Sequence, residues 1–363
     1  MKRHALRGWM GLLLLMWLTG PAMAIDNPWH LLTAAQLPTF YQQTLPAFWH
    51  QHAQPSEFLA ADGVPLRYVA LRNPASHDAV IVVNGRLESY IKYQELARDL
   101  YQQGYSVYLY DHRGQGFSGR MLSDPQKGYV GRFDDYVDDL QRFHESIVRA
   151  DQPEHTFVLA HSMGGAIAAR YLARQPAGIT AAVLSAPMFG IELGALPEWL
   201  ARALCWLMET VTQLLGIESP YAPSQGTYQA VPFAQNELTH DALRYAWFRD
   251  IYRAYPEVQL GGPTAHWITQ ALDGASAATL DGRRITTPVL VLQAGDDSVV
   301  RNDRQATFCR LMSDAGHPCA GGQPLQIAGA RHELFNEQDD ARQMALNAAF
   351  DFFKQKREVS YEK

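Results

Sequence analysis

Thr156–Arg170 reads TFVLAHSMGGAIAAR. The uncharged run Thr156–Ala160 has the pattern of a strand covered on both faces. Ser162 then occupies a turn, and small residues open a helix at once. Such a strand–turn–helix elbow lifts a serine hydroxyl above the end of a sheet strand. The turn is so tight that the residues two before and two after the serine must be small. Ala160 and Gly164 meet that need, although Ala160 stands where the pattern Gly-x-Ser-x-Gly has glycine. A serine that merely caps a helix would require neither the His-Ser pair nor the double glycine. Ser162 is therefore the candidate nucleophile. The elbow also aims the Met163 backbone N–H, beside the start of a helix dipole, at a developing oxyanion.

A serine hydroxyl is a weak nucleophile until a base takes its proton, and thirteen histidines compete for that role. In this architecture the acid and then the histidine follow the serine, at the ends of late strands. One pair of segments fits. Val289–Gln293 runs into AGDDSVV (Ala294–Val300), and Leu325–Ala328 runs into GARHE (Gly329–Glu333). His332 is the base. Asp297 is favoured as the acid over Asp296, because the Ser-Val-Val after it returns the chain to the core, whereas Asp296 reads as a turn residue. His317, before the last strand, and His161, whose side chain is expected to point away from the nucleophile, read as structural. The second oxyanion donor falls on the loop after Ala79–Val83, where Gly85 lets the backbone approach and the Arg86 N–H donates. The Arg86 side chain is left free to pair with Glu88 or to meet a substrate phosphate.

Outward from these motifs, strand-like runs at Leu66–Leu71, Ala79–Asn84, Ser106–Tyr110 and Ala181–Ser185 alternate with helical patterns near Ile91–Gln103, Arg132–Arg149, Met163–Arg174, Asn302–Ala315 and Asp339–Lys356. That alternation specifies an α/β fold with a mostly parallel, doubly wound sheet. Residues 25–187 form the first part of the core, opening on a loose region as far as about Gln54, and residues 267–363 form the second part. The interval 188–266 lacks a convincing strand. It carries an apolar stripe over Trp199–Leu215 and a second helix over His240–Tyr255. It reads as a helical cap inserted over the carboxyl edge of the sheet, where a site lies.

The 363 residues, 47% hydrophobic and 19% charged, fit a globular protein and exclude disordered and collagenous classes. Met1–Ala24 has the form of a secretory signal: Lys2, Arg3 and Arg7, then the apolar Trp9–Leu18, then Ala22-Met23-Ala24. The alternative is an uncleaved anchor at the inner membrane, but the run is about half of the roughly 20 residues a span needs. Removal of this segment takes three cations and no acid, shifting the net charge from −6 to −9. An acidic chain with no basic stretch is a poor partner for nucleic acid. The expected location is periplasmic or secreted, with peripheral membrane contact left open. Cys309 and Cys319 lie ten apart around Gly316 and Pro318, and spacing alone leaves a disulfide and two thiols equally open. Cys205 reads as a buried small hydrophobe.

Two patterns are set aside. Gly114–Gly119 (GQGFSG) matches G-x-G-x-x-G after a strand, but a dinucleotide site needs a helix to open at the glycines, and here Pro125 and Gly128 follow. Asp134, Asp135, Asp138 and Asp139 fall opposite the apolar stripe of their helix and read as a solvated face rather than a metal site.

AHSMGG (Ala160–Gly165), DHRGQGFSG (Asp111–Gly119) and NGRLESYIKY (Asn84–Tyr93) resemble the bacterial lysophospholipase and monoacylglycerol lipase branch of the α/β-hydrolases. The resemblance continues through SAPMFGI (Ser185–Ile191), NELTH (Asn236–His240), GGPTAHW (Gly261–Trp267) and the segments around His317 and His332. It implies an α/β-hydrolase fold and a Ser162–Asp297–His332 triad with Met163 and Arg86 as oxyanion donors. It also implies ester hydrolysis of a lipid without metal or cofactor. Lysophospholipid is the expected substrate; monoacylglycerol lipase or general carboxylesterase activity is the alternative.

Overall fold

The computed structural model describes residues 26–361; the signal reading for 1–24 lies outside them. The first correction comes at once. The expected loose region holds a helical segment that includes α1 (Leu45–His52), followed by a strand, β1 (Gln54–Leu59). Pro38 and Pro46 fall in the opening turns of their helices, where a missing N–H costs nothing. In the sequence they look like interruptions.

β1 pairs antiparallel with β2 (Pro65–Leu71), and β2 pairs antiparallel with β4 (Ser106–Tyr110). From β4 onward every pairing is parallel, through β3 (Asp78–Val83), β5 (His155–His161), β6 (Ile179–Ser185), β7 (Val289–Ala294) and β8 (Leu325–Ile327). The order is β1-β2-β4-β3-β5-β6-β7-β8. β3 and β5 are buried along their whole length, the signature of central strands covered on both faces. Covering them are α2 (Gln94–Gln102), α3 (Phe133–Phe143) and α4 (Met163–Leu172), with others introduced below. One apolar core runs through both layers.

The Asp cluster on α3 is only in part the solvated face expected: Asp138 is exposed and Asp134 and Asp135 partly so, but the acids are paired. Asp139 is buried and takes Arg113 at 2.6 Å, Asp134 takes Arg170 at 2.7 Å, and Asp138 takes Arg174 at 2.7 Å. The acids are counter-charges for arginines brought from other elements, which periodicity along one helix cannot reveal. At Gly114–Gly119 the chain turns and runs on irregularly to α3, and no helix opens at the glycines.

The insertion is helical as expected. α5 (Glu198–Leu214) and α6 (Ala242–Ala254) sit over the carboxyl edge of the sheet, α6 capped by the Asp241 side chain, which accepts from the Leu243 and Arg244 amides. The expected boundary at His266 cuts a helix. α7 (Ala265–Asp281) starts inside the cap interval, capped by Thr264, and continues into the core. α8 (Asn302–Asp314) and α9 (Asp339–Tyr361) complete the layers. Cys309 on α8 forms a disulfide with Cys319, their Cα atoms 5.4 Å apart, and Cys205 is a buried free thiol in α5. Among the described residues no helix is long and apolar enough to cross a membrane.

Candidate active site

Ser162 sits between β5 and α4 with φ 52° and ψ −119°, a backbone that few side chains adopt and that stores strain at functional turns. Three contacts hold it. The Ser162 N–H donates to the Ser185 carbonyl at 3.0 Å, and its carbonyl accepts from Gly165 and Met188 at 2.9 Å each. Gly164 is obligatory for packing, since a Cβ there would collide with the Val83 and Asn84 carbonyls. The tight elbow thus brings the end of β3 against the serine.

His332 Nε2 lies 2.9 Å from Ser162 Oγ, and its Nδ1 lies 2.8 Å from Asp297 Oδ2. The structure brings the three residues together across 170 positions of chain. The Asp297 side chain is withdrawn from solvent. Burial opposes its charge, but His332 and the Val299 and Val300 amides hold the carboxyl below its ordinary range. The Ser-Val-Val after Asp297 supplies those amides at 2.9 and 3.1 Å. Asp296 is exposed, and its backbone N–H donates to the Ala330 carbonyl at 2.9 Å, tying the acid loop to the histidine loop. His317 is exposed beyond α8.

Met163 occupies the first helical position after Ser162, where an N–H has no acceptor in its own helix. Arg86 follows Gly85, whose Cα is so close to Ser162 that a Cβ would stand 3.2 Å from the serine's own Cβ. The Arg86 side chain does not pair with Glu88. It donates to the Gly261 carbonyl at 2.9 Å and lies 4.7 Å over the Trp267 ring. Desolvation pulls its guanidinium down, to about 10.

Glu88 belongs instead to a cluster that sequence reasoning missed. Its carboxylate accepts from the Gly85 amide and the Tyr93 hydroxyl at 2.5 Å and from Lys92 at 2.8 Å. Lys92 also donates to Glu333 at 2.6 Å. His161 completes the group, and its expected orientation is corrected here: the ring lies 4.8 Å from the His332 ring, under the proposed base. One His161 nitrogen faces Glu88 at 3.2 Å and the other the His332 carbonyl at 3.3 Å. Both partners accept hydrogen bonds, an arrangement that favours the charged ring; the Tyr93 hydroxyl also stands 3.3 Å from the Nδ1 that faces Glu88. Burial disfavours that charge, but Glu88 raises the His161 pKa above its ordinary value. Burial likewise opposes the Glu88 charge, and Lys92 and His161 hold its carboxyl well below the ordinary range. The cluster sets two carboxylates, Glu88 and Glu333, against Lys92 and the His161 ring. Lys92 lies four residues after Glu88, which was legible; Glu333 is 241 residues further on, which was not.

Above Ser162 opens a cavity of about 890 Å³, walled by Met188, Ile191, Leu196, Leu204, Phe248 and Leu260 among others. The cap roofs it and touches the histidine loop directly: the Glu333 N–H donates to the Leu238 carbonyl at 2.8 Å. The arrangement can activate a hydroxyl, stabilise an oxyanion with two amides, and hold an apolar chain.

A family model for hydrolases, described as serine aminopeptidase, S33, matches residues 74–339. The chain belongs to this hydrolase family. Within it, the chain is 42% identical to lysophospholipase L2 of Escherichia coli K12 over 315 residues, covering 86% of this chain and 91% of that protein. It is 34% identical to the probable lysophospholipase L2 of Haemophilus influenzae, covering 89% and 96%. The fold resembles a soluble variant of monoglyceride lipase from Saccharomyces cerevisiae, with TM-score 0.63 at 18% identity over 84% of this chain and 94% of that one. The protein is thus an α/β-hydrolase of the lysophospholipase and monoacylglycerol lipase branch.

Proposed function

We propose that the protein is a lysophospholipase that cleaves the carboxylic ester of its lipid through a Ser162–His332–Asp297 triad. The observation that carries the chemistry is the chain of two short contacts, 2.9 and 2.8 Å, at the floor of an apolar cavity. Ser162 Oγ attacks the acyl carbonyl while its proton passes to His332 Nε2. Asp297 holds the imidazolium through Nδ1–H, and the Met163 and Arg86 amides bind the oxyanion. Collapse breaks the bond from the acyl carbon to the glycerol oxygen, which leaves with the proton from His332. Water, deprotonated by His332, then attacks the acyl-enzyme; the fatty acid departs and Ser162 regains its proton. The likeness to lysophospholipase L2 supports the lipid class. So does the cavity: at about 0.8 kcal/mol per buried CH₂, a fourteen-carbon stretch offers roughly 11 kcal/mol of gross binding.

The same reading includes an exported enzyme that meets its substrate at a membrane surface. The Cys309–Cys319 bridge suits an oxidising compartment. α5 supports docking on a lipid surface. Its inner side, with Ala201 and Cys205, lines the cavity. Its outer side leaves Trp199 70%, Trp206 65% and Leu214 82% exposed, more apolar surface than a free-standing protein commonly shows in one patch.

A substrate panel tests the reading. Wild type and Ser162→Ala are assayed on lysophosphatidylethanolamine, a monoacylglycerol and a short p-nitrophenyl ester, and labelled with a fluorophosphonate probe. Wild type labels and turns over the lysophospholipid fastest; Ser162→Ala does not label and loses about a million-fold in kcat. Preference for either other ester makes the protein a monoacylglycerol lipase or general carboxylesterase. An unlabelled wild type defeats the hydrolase reading.

A further inference from the structure

Apart from histidines, three cationic side chains line the cavity: Arg86, Lys92 and Arg249. Lys92 is neutralised by Glu88 at 2.8 Å and Glu333 at 2.6 Å. Arg86 and Arg249 have no carboxylate within 4.0 Å among the described residues. Several other arginines withdrawn from water are paired with carboxylates, although Arg120, outside the cavity wall, meets only the Gly116 and Glu257 carbonyls. Arg113 holds Asp139 at 2.6 Å, Arg342 holds Asp99 at 2.6 Å, and Arg244 holds Asp241 at 2.7 Å. A charge drawn even partly out of water without a counter-charge is disfavoured, so its retention in a ligand cavity points to an anion supplied by the ligand.

Arg249, on the cap helix α6, is the better placed of the two. Its Nη1 contacts the Tyr228 hydroxyl at 3.1 Å and its Nη2 the Tyr245 hydroxyl at 2.8 Å. The guanidinium carbon lies 4.7 Å from the Phe248 ring centre and 5.0 Å from that of Tyr245. These neutral partners fix the plane of the group and leave its charge unspent. Its Nε is buried and has no hydrogen-bond partner. Phe248 also carries Lys92 at 4.6 Å from its ring centre, so Arg249 stands one aromatic ring from the cluster beneath His332. Glu192 and Glu237, the remaining carboxylates of the wall, are exposed and screened by solvent and salt. Arg86 Nε is likewise buried without a hydrogen-bond partner, but its Nη2 is held by the Gly261 carbonyl and its plane by Trp267, and in the proposed reaction its main chain serves the oxyanion.

We infer that Arg249 is a headgroup-binding residue whose guanidinium grips the phosphodiester of the substrate. Nη1 and Nη2 each keep one N–H beyond those given to Tyr228 and Tyr245, and these donate to two non-bridging oxygens. A planar fork suits that pair of acceptors. The phosphorus of a lysophospholipid lies one glycerol unit from the scissile carbonyl, so a phosphate site for this reaction must share the cavity of Ser162. The inference rests on the lysophospholipase reading and deepens it. Arg249 selects phospholipid over neutral glyceride, while the apolar wall accepts either acyl chain.

Wild type, Arg249→Lys and Arg249→Met decide it in two arms. The first compares kcat/KM on lysophosphatidylethanolamine with that on a monoacylglycerol of the same chain. The ratio falls at least about tenfold in Arg249→Met, with Arg249→Lys between. An unchanged ratio, or an equal loss on both lipids, overturns the inference. If Arg249→Met does not fold, as judged by circular dichroism, Arg249→Lys decides by the same ratio. The second arm uses glycerophosphoethanolamine, the headgroup alone, as a competitor of p-nitrophenyl butyrate hydrolysis. It inhibits wild type, and about tenfold more is needed against Arg249→Met. Should lysophosphatidylethanolamine not be turned over, the substrate reading fails and this second arm judges the phosphate site by itself. Relief of inhibition in Arg249→Met supports the site; no inhibition, or inhibition unchanged by the substitution, defeats it.

Discussion

Two clusters of buried charge draw on consecutive parts of one segment, the short helix Tyr90–Tyr93 and α2 after it. One, Glu88–Lys92–His161–Glu333, sits under His332. The other joins Arg244 and Arg342 to Glu95, Asp99, Asp241 and Asp339. The second clasps the cap helix α6 to α2, α9 and the N-terminal segment. Tyr41 donates to Glu95 at 2.6 Å, the Leu32 carbonyl accepts from Arg244 at 3.2 Å, and Asp339 takes the Ala34 amide at 2.8 Å. Both clusters are largely buried and rich in ion pairs, so burial and pairing alone do not mark a site. What separates them is adjacency to a cavity. The first cluster touches the His332 ring and borders open space, where Arg249 remains unpaired. The second is enclosed by protein and couples segments far apart in the chain.

The strongest test of that difference lies at the acid. Asp297→Asn lowers kcat by about ten-thousand-fold, since the amide favours the wrong His332 tautomer, while Asp296→Asn keeps turnover within about twofold. Steady-state assays of the purified variants check both.

Removing one cation from each cluster breaks the comparison next. Arg342→Met and Lys92→Met each leave buried carboxylates uncompensated and cost about 3–5 kcal/mol of stability in urea unfolding. They part in kcat per folded molecule: Arg342→Met holds it, and Lys92→Met lowers it because the floor under His332 shifts. Equal kcat in the two variants would make both clusters scaffolding.

Acid sharpens the distinction. Glu88 titrates well below its ordinary 4.5 in the folded state, so the unfolded chain binds more protons there. Stability therefore rises with pH in that window and is lost as pH falls from about 4.5 toward the folded value. Glu88→Gln reduces the slope by at most about 1.4 kcal/mol per pH unit, measurable by urea unfolding at stepped pH. In the second cluster Arg342 and Arg244 hold Glu95 below its ordinary value against the effect of burial, while burial raises Asp99. Those two contributions oppose each other, and Glu95→Gln with Asp99→Asn together changes the slope less.

The smallest effect concerns the outer face of the cap. Trp199→Ser with Trp206→Ser weakens partition onto anionic or zwitterionic vesicles about tenfold or more. Hydrolysis of a dispersed p-nitrophenyl ester changes little. Vesicle co-sedimentation beside that assay checks it.

What could be read from the chain follows the same division. The elbow at Ser162 was legible because its requirements are local: a buried strand, small flanking residues and a helix within fifteen positions. Asp297 and His332 were legible because each closes a recognisable late strand. His161 and Glu333 were not. Their neighbours are themselves candidates with other readings, and nothing local shows that Glu88, Lys92 and Glu333 converge. The N-terminal helices were hidden by prolines that interrupt an apolar pattern without breaking the helices. Their anchor, the Arg244–Glu95 pair, spans 149 residues. Arg249 looked like one more polar residue on an amphipathic helix. Only its place in the cavity wall, held by tyrosine hydroxyls with no carboxylate beside it, a three-dimensional property, marks it.

β8 contributes three residues at the rim of the sheet, two of them exposed, yet the loop it launches carries His332. Elements so short and peripheral open at lower cost than the interior. On slow heating the enzyme should fall silent while its far-ultraviolet circular dichroism is still nearly intact. A thermal midpoint taken from backbone signal therefore overstates the temperature at which the protein can work.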